Sequence, residues 1–163
     1  MFKIIQSLTV IFMMFCATAC TKQAPPENNL SLARKVYKTP TCGCCGDWVS
    51  HIQESGFKTE VNNQSTLNPL KNELNIPPRI QSCHTAISDT GLFIEGHVPA
   101  KYIKQFLENT PSDALGIAVG GMPLGSPGME VDNRFTPYDI VLLKKDGSTE
   151  IYAHIENIDQ QYD

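Results

Sequence analysis

The chain lacks a basic surplus. Its 13 Lys and Arg stand against 17 Asp and Glu, a formal net charge of −4. That removes the electrostatic footprint of a nucleic-acid binder and makes anionic membrane surfaces a poor partner for the folded part. It also lacks an apolar run of comfortable membrane-spanning length. The longest mostly apolar stretch, Ile4 to Cys16, is about 13 residues. There are no internal repeats and no low-complexity tract. Beyond the N-terminal segment, methionine occurs only as Met122 and Met129. Hydrophobic residues make up 41% and charged residues 18% of 163, the composition of one ordinary globular domain rather than a disordered chain.

The N-terminal stretch MFKIIQSLTVIFMMFCATAC has an early Lys3, a short apolar region and then small residues. It reads as a secretory signal peptide over residues 1–19. Ala17-Thr18-Ala19-Cys20 fits two processing routes: a bacterial lipobox that would acylate Cys20, and ordinary cleavage after Ala19. Either route discards Cys16, and loss of Lys3 moves the charge from −4 to −5. The expected location is the periplasm of a Gram-negative bacterium, with the membrane reached only through a lipid on Cys20. Disulfides persist in such a compartment. Residues 20–31, with Pro25-Pro26, read as a flexible tether.

What is present in excess is cysteine at one place. CGCC, residues 42–45, holds three of the six cysteines. Val36 and Tyr37 suit a short strand before it, and GDWVSHIQESG after it reads as a helix with Trp48, Val49 and Ile52 on one face and Asp47 in its first turn. FKTEVNN alternates as a strand. LNPLKNELNI is a short helix with Asn68 as cap and Pro69 first. HTAIS, DTG and LFIEG form a hairpin, and a helix begins at Pro99 with Tyr102, Ile103, Phe106 and Leu107 inward. This is the element order of a thioredoxin fold, with Cys42 and Cys45 as a C-x-x-C pair at the strand-to-helix junction that lowers thiol pKa values. The expected fold is therefore α/β: a thioredoxin-like domain over 32–110. A C-terminal extension over 111–163 consists of a long Gly/Pro-rich loop at 111–137 and a hairpin, YDIVLLKK-DG-STEIYAHI.

A dithiol oxidoreductase needs two sulfurs, and Cys44 makes a third. In an oxidising compartment an extra thiol invites wrong pairings. A metal gives it a purpose; a structural disulfide is the alternative, although a vicinal Cys44–Cys45 bridge would be strained. SCHTA, residues 82–86, puts Cys83 and His84 in the loop where this fold normally offers a cis-proline facing the C-x-x-C. His97 lies just before a helix on the same side. Met122 and Met129 stand in a glycine-proline loop that has no helical core stripe to fill. Thiolates and thioethers select Cu(I), while zinc rarely takes Met. Copper is the expected cofactor. His51 and His154 read as solvated. Whether Pro77 or Pro78 is cis is left open.

TCGCCGDW, IPPRIQSCHTA, IEGHVPA and GMPLGSPGME, in this order, resemble the CopG-type periplasmic copper-resistance proteins over roughly residues 33–155. The resemblance implies a thioredoxin domain whose C-terminal extension contributes to a cysteine-bridged multinuclear copper site. It implies a role in interconverting Cu(I) and Cu(II) to limit toxicity and aid export, with copper-export components as partners. By motif match Cys42, Cys44, Cys45, Cys83 and His84 carry over as ligands, and His97, Met122 and Met129 after them; Cys42 and Cys45, at the dithiol position of the fold, are the expected catalytic pair. One departure is Gly120-Gly121, where the family pattern often has a proline. A monomer is expected. Two other readings share these residues: a thiol–disulfide oxidoreductase, and a copper store or chaperone without redox turnover.

Overall fold

The computed structural model describes residues 35–162. The leader, the tether and Cys20 lie outside them. Strand β1 (Lys35–Lys38) leads into helix α1 (Gly43–Glu54), strand β2 (Glu60–Asn63) and helix α2 (Asn68–Glu73). Strands β3 (His84–Ile87) and β4 (Phe93–Glu95) form a hairpin before helix α3 (Ala100–Glu108). Strands β5 (Ala114–Ala118), β6 (Tyr138–Lys144) and β7 (Thr149–Ile155) complete a mixed α/β architecture. One seven-stranded sheet runs β2-β1-β3-β4-β5-β6-β7. The β1–β2 and β4–β5 pairs are parallel and the others antiparallel.

Alternation along the central strands divides the core into two layers. Ile94, Ile117, Ile140 and Leu142 face Trp48, Ile52, Ile103 and Phe106 of α1 and α3. Phe93, Ala118 and Leu143 face the other way, onto Ile76 and Ile80. A sheet covered on both faces has central strands that read as apolar runs.

That explains one correction. Residues 111–137 are not a single loop, because β5 lies within them. ALGIA carries no clean alternation: Ile117 and Ala118 point to opposite faces and both are fully buried. Gly116 is required there, since a Cβ would stand 2.3 Å from the Phe93 carbonyl oxygen. A glycine-flanked run of this kind mimics a turn-rich loop until its neighbour strand is known. Strand β5 also carries the sheet without a break into the C-terminal hairpin.

Helix starts moved too. Helix α1 begins at Gly43, so Cys44 and Cys45 occupy its first turn and Asp47 lies beyond it. Leu67, not Asn68, is the residue before α2, and the Asn68 N–H is met by Thr66 Oγ1 at 3.4 Å. Pro99 is the cap of α3 and not its first residue. Ile103 and Phe106 are buried as expected, while Tyr102 and Leu107 are half-buried against the same core. No peptide bond among the described residues is cis, Pro77 and Pro78 included. No helix among them is long and apolar enough to cross a membrane.

Candidate metal centre

The turn after β1 delivers Cys42 in extended backbone immediately before α1, and the first helical turn then presents Cys44 and Cys45. Lys38 holds this turn from below, donating to the carbonyls of Thr39 at 3.0 Å and Cys42 at 3.4 Å. Cys42 and Cys45 form a disulfide, with their Cα atoms 5.4 Å apart. Cys44 and Cys83 are the free thiols among the described residues. Cys44 Sγ lies 3.5 Å from Cys42 Sγ. Cys45 is fully buried, and its sulfur lies 3.8 Å from the Cys83 carbonyl oxygen. The sulfurs of Cys42, Cys44, Cys45 and Cys83 all fall within 4.8 Å of one another.

Cys83 belongs to a second group as well. Its sulfur stands 3.3 Å from His84 Nδ1 and 3.1 Å from His97 Nε2, and these three ligand atoms also lie within 4.8 Å of one another. The site therefore has two lobes joined at one sulfur: thiols on one side, imidazoles on the other. His97 was expected near this side before α3, and it is fully buried there. Its Nδ1 is 2.8 Å from the Pro127 carbonyl oxygen. A carbonyl only accepts, so Nδ1 carries the proton, and in the neutral ring Nε2 turns its lone pair toward Cys83. Fixing a ligand histidine through its other nitrogen is the usual device in metal sites.

His84 packs against the Trp48 ring at a centroid distance of 4.2 Å and against His97 at 4.9 Å. Burial holds its pKa well below the usual imidazole range, and repulsion from a protonated His97 or from Lys71 would lower it further. Burial also lowers the pKa of His97, against the opposing effect of its hydrogen bond to Pro127. Both rings are neutral at pH 7 and so keep a lone pair for a metal. His84 Nε2 is buried with no hydrogen-bond partner, a cost a folded chain normally avoids. Burial, and then the neighbouring Cys44, push the Cys83 thiol up to about 11, so a metal must displace its proton.

The segment after β5 covers the cluster. Gly128, at φ +82°, lies so close to α1 that a Cβ would stand 2.6 Å from both the Cys44 carbonyl oxygen and the Trp48 nitrogen. Gly121 donates its N–H to Gln81 O at 3.1 Å and accepts from the Ser82 hydroxyl. Met122 and Met129 lie at the two ends of this covering stretch, Met122 53% exposed and Met129 half-buried. The structure thus unites six of the eight expected ligands around Cys83 and leaves the two methionines in the cover.

Three participants escaped the sequence reading. His51 is not solvated: its Nε2 accepts the Ala100 N–H at 3.0 Å, capping α3, and burial lowers its pKa. Lys71 and Glu95 form a buried ion pair beside Ser82. Glu95 had a visible signal, a carboxylate inside the apolar strand LFIEG. His154 is the exposed histidine that was expected.

The donor set fits copper. Four sulfurs and two imidazoles whose pKa values burial lowers are soft to borderline ligands, with His84 Nδ1 and His97 Nε2 turned to the shared Cys83 sulfur. Reducing the Cys42–Cys45 disulfide, with two electrons and two protons, gives four thiols, which would bind a soft metal as thiolates with release of their protons.

No curated protein matches the chain. A protein family described as "Protein of unknown function, DUF411" matches residues 80–129, the span from the loop before Cys83 to Met129. Two solved structures are similar along most of the chain. "Copper resistance protein copG, form 2" is 40% identical and superposes with a TM-score of 0.72, covering 77% of this chain and 98% of that one. Form 1 is also 40% identical, with a TM-score of 0.69, covering 74% and 94%. With that identity over nearly the whole of the solved domain, and with the cysteine cluster in place, the chain belongs to the CopG family of copper resistance proteins.

Proposed function

We propose that this protein is a periplasmic copper-binding protein that interconverts Cu(I) and Cu(II) at a cysteine-bridged site. The observation that carries the reading is Cys83, one sulfur shared between a four-sulfur group and a two-imidazole group. Thiolates favour Cu(I), whereas imidazole serves both oxidation states. A site with both donor types joined at one atom can keep copper through a change of charge. Cys42, Cys44, Cys45, Cys83, His84 and His97 would hold it, with Met122 and Met129 as thioethers of the cover. Copper supplies the one-electron step when bound. The chain's own residues hold the ligands, keep both imidazoles neutral and exclude water through the Trp48 ring and the Gly128 segment.

The four-stranded half β2-β1-β3-β4, with α1 and α3 on one face, supports a thioredoxin-like reading. In it the Ser82-Cys83-His84 stretch replaces the usual cis-proline loop. The relatives' name, copper resistance protein, supports a location outside the cytoplasm and a role alongside copper export. Lipid attachment at Cys20 and a monomeric state complete the proposal.

Anaerobic Cu(I) titration with metal analysis is the test. We expect more than one tightly bound copper per chain. Less than one would overturn the reading. Oxidation and re-reduction of the loaded protein then separates turnover from storage: loss of copper or irreversible thiol damage in one cycle would leave a storage protein.

A second reading has its own support. The formed Cys42–Cys45 disulfide sits at the start of α1, where thiol–disulfide oxidoreductases carry theirs. Insulin reduction by the metal-free protein would favour it. We expect none, because Ser82-Cys83-His84 stands where such enzymes carry the cis-proline loop that helps grip a peptide, and no peptide bond among the described residues is cis.

A further inference from the structure

We propose that Lys71 and Glu95 form a positioning clamp that presets Cys83, and with it His84 and His97, in ligand geometry before copper arrives. The inference rests on Cys83 being a copper ligand. Lys71 comes from α2 and Glu95 from the end of β4, and their side chains are 4% and 0% exposed. Both converge on one residue, Ser82. Glu95 Oε1 accepts the Ser82 N–H at 2.6 Å, and Lys71 Nζ donates to the Ser82 carbonyl oxygen at 2.6 Å. The other carboxylate oxygen accepts from Thr85 Oγ1 at 2.6 Å. The chain is thus gripped on both sides of Cys83-His84, by two charges that also pair with each other.

The same strand end reaches the imidazoles. Gly96, next to Glu95, donates its N–H to the His84 carbonyl oxygen at 3.0 Å. It packs so tightly that a Cβ would stand 2.5 Å from Ser82 Cβ. His97 follows one residue later, 3.1 Å from Cys83 Sγ. Glu95 therefore sets the spacing between the Cys83 stretch and the His97 stretch.

Stability alone is a poor reason for such a pair. Burying two charges costs much of what their attraction returns, and apolar replacements of similar volume are often no less stable. What an ion pair adds is direction: its lone pairs and protons hold the Ser82 peptide groups at defined angles. This loop has no proline to stiffen it, and the clamp does that work from outside. Groups behind the ligands of a metal site commonly change affinity 10- to 100-fold when removed.

The test uses Lys71→Met with Glu95→Gln, which removes both charges while keeping shape and an acceptor for the Ser82 N–H. Two readouts are taken against the wild-type protein. The first is Cu(I) affinity in competition with bicinchoninate, expected to fall about tenfold. The second is iodoacetamide alkylation of the reduced, metal-free protein, followed site by site by mass spectrometry. Cys83 is expected to react about fivefold faster while Cys45, buried in α1, keeps its rate, because only the loop has been loosened. Unchanged Cys83 reactivity, or an equal gain at Cys45 and Cys83, would mean a merely structural pair and overturn the proposal. If the double variant does not fold, Thr85→Val removes one donor to the same carboxylate, with smaller changes expected in the same order. Wild-type protein that takes no copper would overturn the metal reading instead, and the alkylation comparison would still decide the clamp.

Discussion

His84 and His154 stand on different strands of one sheet and have opposite chemistry. His84, on β3, is sealed behind Trp48, with its pKa pushed down by burial. His154, on β7, is exposed between Asp139 Oδ1 at 2.7 Å and Glu156 Oε2 at 3.0 Å, and these hydrogen bonds push its pKa up. Burial favours the neutral form of one ring, which offers a lone pair; two carboxylates favour the protonated form of the other. The strand halves that carry them differ in the same sense. Strands β1 to β4 are three or four residues long and are tied by polar clamps, whereas β6 and β7 run seven residues each and hold by their own ladder. The candidate metal site occupies the half that regular pairing secures least.

The sharpest way to break this comparison is to remove the shared sulfur. Cys83→Ser should lower copper affinity on the order of 100-fold or more, since it strips both lobes of a ligand where even supporting residues are worth 10- to 100-fold. His154→Ala should leave affinity unchanged by the same competition titration. Copper binding that survives Cys44→Ser unaltered would contradict the four-sulfur group.

Trp48→Ala comes next. The ring is fully buried, donates to Val98 O at 2.9 Å and backs His84. Chemical denaturation should show a loss of about 3–5 kcal/mol. An equal loss from truncating Tyr152, half-buried in the middle of β7 against Phe106, would erase the contrast between the halves.

Gly128→Ala should cost about 1–3 kcal/mol, because the added Cβ meets the Cys44 carbonyl and the backbone has positive φ. The cover should lift and Cys44 should alkylate faster in the reduced protein. Gly147→Ala in the β6–β7 turn shares the positive φ but meets nothing, so it should move stability less and Cys44 reactivity not at all.

The smallest effects are those of pH. His51 is favoured neutral by the fold, so its contribution is complete above the unfolded value of about 6.5 and is lost as pH falls from there through its lowered folded value. His51→Gln keeps an acceptor for Ala100 and should shallow the acid-side fall in melting temperature of the metal-free protein. His154 has the opposite sign: its contribution is complete below about 6.5 and is lost as pH rises through its raised folded value. His154→Gln should remove only that small alkaline loss. NMR titration that finds His51 above His154 would reverse the comparison.

Much of the site was legible because its chemistry is local in sequence. CGCC, SCHTA and EGHVP each announce ligand atoms, and the element order brings the first two to one end of the sheet. Strand β5 was not legible, because burial on both faces hides alternation and Gly116 serves its neighbour Phe93. His51 was not legible either, since nothing in SHIQ says that a helix 49 residues away lacks a cap. The Lys71–Glu95 pair was half-visible: a carboxylate in an apolar strand requires a partner, but nothing along the chain says which.

Sequence alone determined the inventory, namely which atoms can bind soft metal, which strands alternate and where the cysteines crowd. These follow from side-chain chemistry and from periodicity, which survive without contacts. Tertiary structure alone decided that Cys83 is shared between sulfur and imidazole groups, that Pro127 turns the free nitrogen of His97 toward it, and that two buried charges grip Ser82. Those depend on distances of about 3 Å between residues far apart in the chain, which only packing and the directionality of hydrogen bonds can set.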